Sequence, residues 1–348
     1  MARSHGTSAG TASGRRTRLE DVAARAGVTK SIASRVLNDD PTVSVRPETR
    51  ERIIQAAVEL GYRAHAGARA LAGAEARALA LLIPDLTNLT YSRIVRGAFQ
   101  RAREHGYVLL IAEDTGDLAT DTSFTDLVSA GRVDGLIVAS AKPGDPIVGL
   151  LAGRRVPHVF VNRAIPGSGR NVTMDVAAAS REAVGHLAGL GHRRIGHVAG
   201  PAGIVPALDR EAAFLQACRD AGVEACPVQR AEISEEGGYR AALRLLRRHR
   251  TVSAVYASTF TQAIGVLRAL RELGREVPGD VSVVAFDDLP QADYVDPPLT
   301  TVAMPLVELG AAAVDALIGQ LRGGAPADVV LAAHPALMLR ASTAPARR

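Results

Sequence analysis

From Ala78 onward the chain repeats one pattern, a short aliphatic run followed by a longer amphipathic stretch. The runs Ala78–Ile83, Val108–Ala112, Leu136–Ala139, His158–Val161 and Val172–Met174 read as strands. So do Ile195–Ala199, Ala254–Ala257, Val281–Phe286 and Thr301–Ala303. Apolar residues at helical spacing fill Ile94–His105, Ala177–Leu190, Arg210–Ala221, Gly238–Arg248, Gln262–Leu273 and Leu306–Leu321. Such alternation requires parallel sheets joined by right-handed crossovers. So many strands exceed what one sheet ordinarily carries, so the pattern predicts two α/β lobes. Ligands of such sheets bind beyond the carboxyl ends of the strands. With 3% aromatics and no Trp, the cores must be built from Ala, Val, Leu and Ile. No apolar run approaches the ~18–20 residues that span a bilayer.

The first 75 residues are different. They hold 12 Lys and Arg against 8 Asp and Glu, whereas the rest of the chain holds 29 against 28. The excess positive charge therefore sits where it can attract phosphate, although a solvated charged face would look the same. Residues 1–17 are rich in Ser, Gly, Thr, Ala and Arg without an apolar stretch, which predicts a disordered basic arm and no secretory signal. Leu19, Val22, Ala23 and Ala26 then line one face of a short helix. Gly27 offers the left-handed backbone a tight turn needs, and Thr29 can cap a second helix. That helix turns Ile32, Ala33, Val36 and Leu37 inward and carries Lys30, Ser31, Ser34, Arg35 and Asn38 on its other face. The polar face has hydrogen-bonding groups, two of them cationic, and no acid, which suits base edges in a major groove. A third helix opens on Pro47, with Ile53, Ile54, Ala57 and Leu60 expected inside. A three-helix bundle without DNA contact is the plainer alternative.

The run from Leu19 to Asn38, LEDVAARAGVTKSIASRVLN, resembles the headpiece of LacI/GalR-family transcription factors, as do Thr49-Arg50 and Leu60-Gly61-Tyr62. The resemblance implies that Lys30 and Ser31 read bases. It also implies that Thr29, Ser34, Arg35 and Asn38 contact bases or phosphates, and that Tyr62 touches the backbone. Residues 63–76 match the family hinge, in which Ala68 and Leu71 would enter the minor groove and kink the DNA. Arg18, Ile32-Ala33, Arg46, Ala64 and His65 depart from the family pattern.

The similarity continues in Leu190–Gly200, in Gly279–Asp288 and in the Pro-Pro-Leu-Thr-Thr run that ends at Thr301. It implies a regulatory domain of periplasmic-binding-protein type over residues 77–343, with an effector between the lobes and a tail at 344–348. The positions implied for effector binding are Tyr91, Phe160, Arg210, Thr259, Phe260 and Asp287. Taken alone, Asp287-Asp288 is equally well a strand-end turn, and Arg210 a surface helix residue. Where the family usually carries an Asn-Asp pair, this chain has Thr259 and Phe260, so the expected effector is not a simple sugar.

Several classes are disfavoured. No GxSxG run joins a predicted strand to a helix, and Walker A and HExxH motifs are missing, which argues against a sugar-processing α/β enzyme. A secreted solute-binding protein would share the C-terminal fold but has no use for a helix-turn-helix. Cys218 and Cys226 form no CxxC, and His186, His192 and His197 read better as a helix-to-strand corner than as a metal site. The expectation is an N-terminal all-α helix-turn-helix headpiece over 18–62 followed by a two-lobed α/β domain. It would act in the cytoplasm as a homodimer or tetramer on double-stranded operator DNA, without metal or cofactor.

Overall fold

The computed structural model describes residues 17–37, 40, 42–62, 75–114 and 118–347. The chain forms two compact units that divide between Ala76 and Arg77. The first contains α1 (Leu19–Ala26), α2 (Lys30–Leu37) and α3 (Pro47–Glu59). Gly27 ends α1 at φ 65°, as the turn requires. Val22, Ala23, Ala26, Ala33, Val36, Ile53, Ala56 and Ala57 form the core. Ile54, expected inside, is 47% exposed. The buried stripe of α3 runs through Ile53, Ala56 and Ala57 instead, because helical spacing puts Ile54 a hundred degrees from Ile53. Thr17 Oγ1 donates to Leu60 O at 2.8 Å, which ties the start of α1 to the end of α3.

In the second unit the strands are β1 (Ala78–Ile83), β2 (Val108–Glu113), β3 (Gly135–Val138), β4 (His158–Val161) and β5 (Asn171–Met174). They continue with β6 (Arg194–Ala199), β7 (Glu224–Ala225), β8 (Gln229–Arg230), β9 (Ala254–Ala257), β10 (Ser282–Phe286), β11 (Thr300–Ala303), β12 (Val329–Leu331) and β13 (Ala336–Met338). The helices are α4 (Leu89–Glu104), α5 (Leu118–Ser129), α6 (Pro146–Gly153), α7 (Val176–Gly189), α8 (Val205–Asp220), α9 (Glu235–Arg248), α10 (Phe260–Glu272) and α11 (Leu306–Leu321). All nine expected strands and all six expected helices of this region are present, with ends shifted by a few residues. Helices α5 and α6 and strands β7, β8, β12 and β13 were not anticipated.

Two sheets result. The first has the order β12-β5-β4-β3-β1-β2 and is wholly parallel. The second runs β13-β11-β10-β9-β6-β7, with β8 also on β6, and only β13 is antiparallel. Both faces of the first sheet are covered. Leu79, Leu81, Ile137, Val159 and Val161 pack toward α4 and α11, while Ala80, Leu82, Leu136, Val138 and Phe160 face α5 and α6. Helices α4 and α11 approach unusually closely. A Cβ at Gly97 would lie 1.8 Å from Val307 O, and one at Gly310 would lie 2.0 Å from Ile94 O. In the second lobe, α9 and α10 cover one face through Val198, Val255, Ala257, Val283 and Ala285. Residues 344–347 follow the second lobe, where Ala346 N donates to Leu190 O at 2.9 Å.

Candidate functional site

The first unit presents α2 at its surface. Thr29 Oγ1 accepts from Ile32 N at 3.4 Å and caps the helix. Ala33 and Val36 hold α2 to the core, which leaves Lys30, Ser31 and Arg35 exposed and Ser34 half-buried on the other side. Lys30 Nζ lies 2.8 Å from Glu20 of α1. Arg35 Nε donates to Asp40 at 2.9 Å, and its Nη2 donates to Thr42 Oγ1 at 2.6 Å. Hydrogen bonds from Thr42 and then Arg35 hold the Asp40 carboxyl down at about 2. Solvent-exposed pairs of this kind contribute little to stability, so both cations can be given over to a polyanion at small cost. Tyr62 is half-buried against the same core. Asn38, Ala68 and Leu71 lie outside the described residues.

The second unit encloses a cavity of about 50 Å³ between its lobes. Its lining comes from helix starts and from turns at the carboxyl ends of strands, where a doubly wound sheet leaves backbone free of the ladder. Thr90 and Tyr91 come from the first turn of α4, and Asn162 and Arg163 follow β4. Arg210 comes from α8, Thr259 caps α10, Phe286 ends β10 and Asp287 follows it.

Asp287 sits at φ 72°, a conformation that Asp tolerates better than most residues. Its Oδ2 accepts from Thr90 Oγ1 at 2.8 Å, so a hydrogen bond joins the two lobes across the cavity. Its Oδ1 is buried and has no hydrogen-bond partner among the described residues. Burial pushes this carboxyl up to about 6, against the opposing pull of Arg210 and Thr90. Arg210 Nε donates to Ser258 Oγ at 3.1 Å, and the guanidinium lies 4.3 Å from the centre of the Phe286 ring. Burial lowers its pKa. Among the described residues no carboxylate lies within 4.0 Å of Arg210 or Arg163, and Arg163 Nε is a second buried atom without a partner. His197 stacks against both Phe214 and Tyr256, with ring centroids 4.7 and 4.9 Å away, and those two rings also stack on each other. Burial brings His197 down to about 4, so the ring is neutral, and Nδ1 donates to Tyr256 O at 2.9 Å. The cavity therefore offers donors from guanidinium groups and one acceptor oxygen, set on an aromatic face.

Of the six positions implied by resemblance, Tyr91, Arg210, Thr259 and Asp287 line this cavity. Phe160 and Phe260 do not. Phe160 points to the α5/α6 side of the first sheet, because β4 turns Val159 and Val161 to the other side. Phe260 opens α10 and is packed into the second-lobe core with Val255 and Val283. The aromatic face expected of Phe260 comes from Phe286. The Thr259 hydroxyl is engaged in capping, since it accepts from Gln262 N at 3.1 Å. Thr90, Asn162, Arg163 and Phe286 were not foreseen as lining residues, although their places just after strands or at a helix start were readable. The three histidines serve separate networks. His186 meets Thr343 at 3.0 Å, and His192 bridges Ser253 and Ser282 at 2.9 and 3.0 Å. Among the described residues no group of His, Cys, Asp and Glu could hold a metal ion, and no helix is long and apolar enough to cross a membrane.

Residues 18–65 match the family model for bacterial regulatory proteins of the lacI family, and residues 184–343 match that for a periplasmic binding protein-like domain. The chain is 36% identical over 344 residues to the HTH-type transcriptional regulator reg1 of Streptomyces lividans, covering 95% of this chain and 97% of that one. It is 32% identical over 310 residues to the HTH-type transcriptional repressor CytR of Escherichia coli K12, covering 88% and 90%. Among solved structures it resembles the lac repressor dimer bound to operator and the anti-inducer ONPF, with a TM-score of 0.84, 27% identity and coverage of 95% and 100%. It also resembles a CelR–cellobiose complex, with a TM-score of 0.71, 30% identity and coverage of 94% and 100%. The chain belongs to the lacI family of transcriptional regulators and is not an enzyme.

Proposed function

We propose that this protein is a repressor that binds a pseudo-palindromic operator as a homodimer and is released or tightened by a small molecule held between its lobes. The observation that carries the reading is α2, whose packed stripe is Ala33 and Val36 and whose opposite side bears Lys30, Ser31, Ser34 and Arg35. Asn38 and Tyr62 extend the same assignment, and Ala68 and Leu71 act as the minor-groove wedge. Dimerisation is supported by apolar surface that water disfavours: Val108, Leu110 and Ile111 along the edge strand β2, and Phe99 on α4, are 44–61% exposed. Two-fold symmetry of the protein then requires two-fold symmetry in the operator.

The interlobe cavity is the effector site. At about 50 Å³ it is far below the ~300–1,000 Å³ of ordinary ligand pockets, so binding requires the lobes to part and the Thr90–Asp287 bond to break or be exchanged. An effector that binds open and closed forms unequally shifts the equilibrium between them, which is the physical content of control. Selection of binding sites from random DNA by the purified protein tests the reading. A pseudo-palindrome should emerge, and recovery of no enriched sequence would overturn it.

A further inference from the structure

A second cavity, of about 600 Å³, opens on the first lobe beside β4, away from the interlobe cavity, with which it shares no lining residue. Leu151, Phe160 and Ile165 form its buried apolar floor. His158 lies in the same wall, only 4% exposed, with its ring edge-to-face against Phe160 at 5.1 Å. Its Nδ1 is 2.7 Å from Val156 O. A carbonyl can only accept, so Nδ1 carries the proton and Nε2 presents a lone pair. Burial lowers the pKa of this ring, which favours the same neutral form. Nε2 has no hydrogen-bond partner among the described residues.

Two guanidinium groups flank the cavity. Arg170 is held by His158 O and by Gln320 of α11. Arg155 stands in the left-handed region at φ 54° just past α6, and its side chain makes no hydrogen bond or ion pair among the described residues. An aliphatic and aromatic floor favours a flat apolar body, two cations favour an anion, and one imidazole lone pair requires one donor.

We infer that this cavity is a second ligand site, for a small aromatic carboxylate carrying a hydroxyl group. The ring lies among Val148, Ala152 and Pro166 above the buried Phe160 and Leu151, the carboxylate faces Arg155 and Arg170, and the hydroxyl donates to His158 Nε2. Gln320 links the site to α11, whose first residue, Leu306, lines the interlobe cavity. One rigid helix therefore touches both sites.

Calorimetry on the full-length protein with 3- and 4-hydroxybenzoate tests the inference. One of the two should bind saturably at or below millimolar concentration. Benzoate and phenol, each lacking one handle, should bind about tenfold more weakly, the loss expected for one charge-assisted or buried hydrogen bond. Arg155→Gln, at an exposed position, should weaken binding to a similar degree, His158→Val should erase the preference for hydroxybenzoate over benzoate, and Arg240→Gln on the exposed side of α9 should change neither. Failure of both hydroxybenzoates to bind, or affinity and preference kept in both Arg155→Gln and His158→Val, would overturn the assignment.

Discussion

Asp287→Asn isolates the cost of the charge enclosed between the lobes. Asp287 is 2% exposed, one oxygen lacks a partner, and its carboxyl is pushed from 3.8 to about 6. A shift of that size corresponds to about 3 kcal/mol between the protonated and ionised states. The sign follows from proton uptake. Between pH 3.8 and about 6 the folded protein holds a proton that the unfolded chain has released, so stability falls as pH rises through this window. The penalty is absent below 3.8 and complete above about 6. Asn keeps an oxygen for the Thr90 hydroxyl and tolerates positive φ, but it never ionises. The variant should therefore match the parent at the acid end and exceed it by up to about 3 kcal/mol above pH 6. Urea denaturation followed by circular dichroism at a series of pH values measures the difference. A stability difference that stays constant across this range would refute the argument. A corollary concerns the effector: a ligand that donates to the unpartnered oxygen favours the ionised form, so its binding should release a proton below pH about 6 and tighten as pH rises.

Other outcomes are expected. Lys30→Ala and Ser31→Ala should relax base preference at the positions they read, by ~1–3 kcal/mol for a bidentate contact, and Arg35→Ala should weaken specific sites strongly in salt-matched titrations. Parental binding by all three would contradict the reading of α2. Gly310→Ala, which drives a Cβ to 2.0 Å from Ile94 O, should lower the thermal midpoint by an amount equivalent to ~1–3 kcal/mol or more, because backbone offers no flexible end to move aside. Common hexoses should bind weakly, since the Thr259 hydroxyl is already engaged in capping and Phe260 is buried; micromolar binding lost on Asp287→Ala would show otherwise.

The sequence determined most of what is local. Continuous aliphatic runs announced nine strands, because a strand buried on both faces has to be apolar throughout. The Gly27 turn, the Thr29 cap and the split of α2 into apolar and polar sides follow from spacing alone. Elements without such a signature escaped: α5 and α6 have no sharp apolar stripe, and β7 and β8 have two residues each. Which side chains meet was another matter. Thr90 and Asp287 are 197 positions apart and share a hydrogen bond only because two lobes close on each other. Phe160 and Phe260 looked suited to a ligand cavity, yet the pleat of β4 turned one onto α6 and the core of the second lobe took the other. Phe286 reached the cavity because β10 ends there, beneath Arg210. Strand alternation gives each side chain one of two faces, but the sequence does not say which face meets the other lobe. That choice belongs to packing, where helices such as α11 cover one side and leave the strand ends open for chemistry.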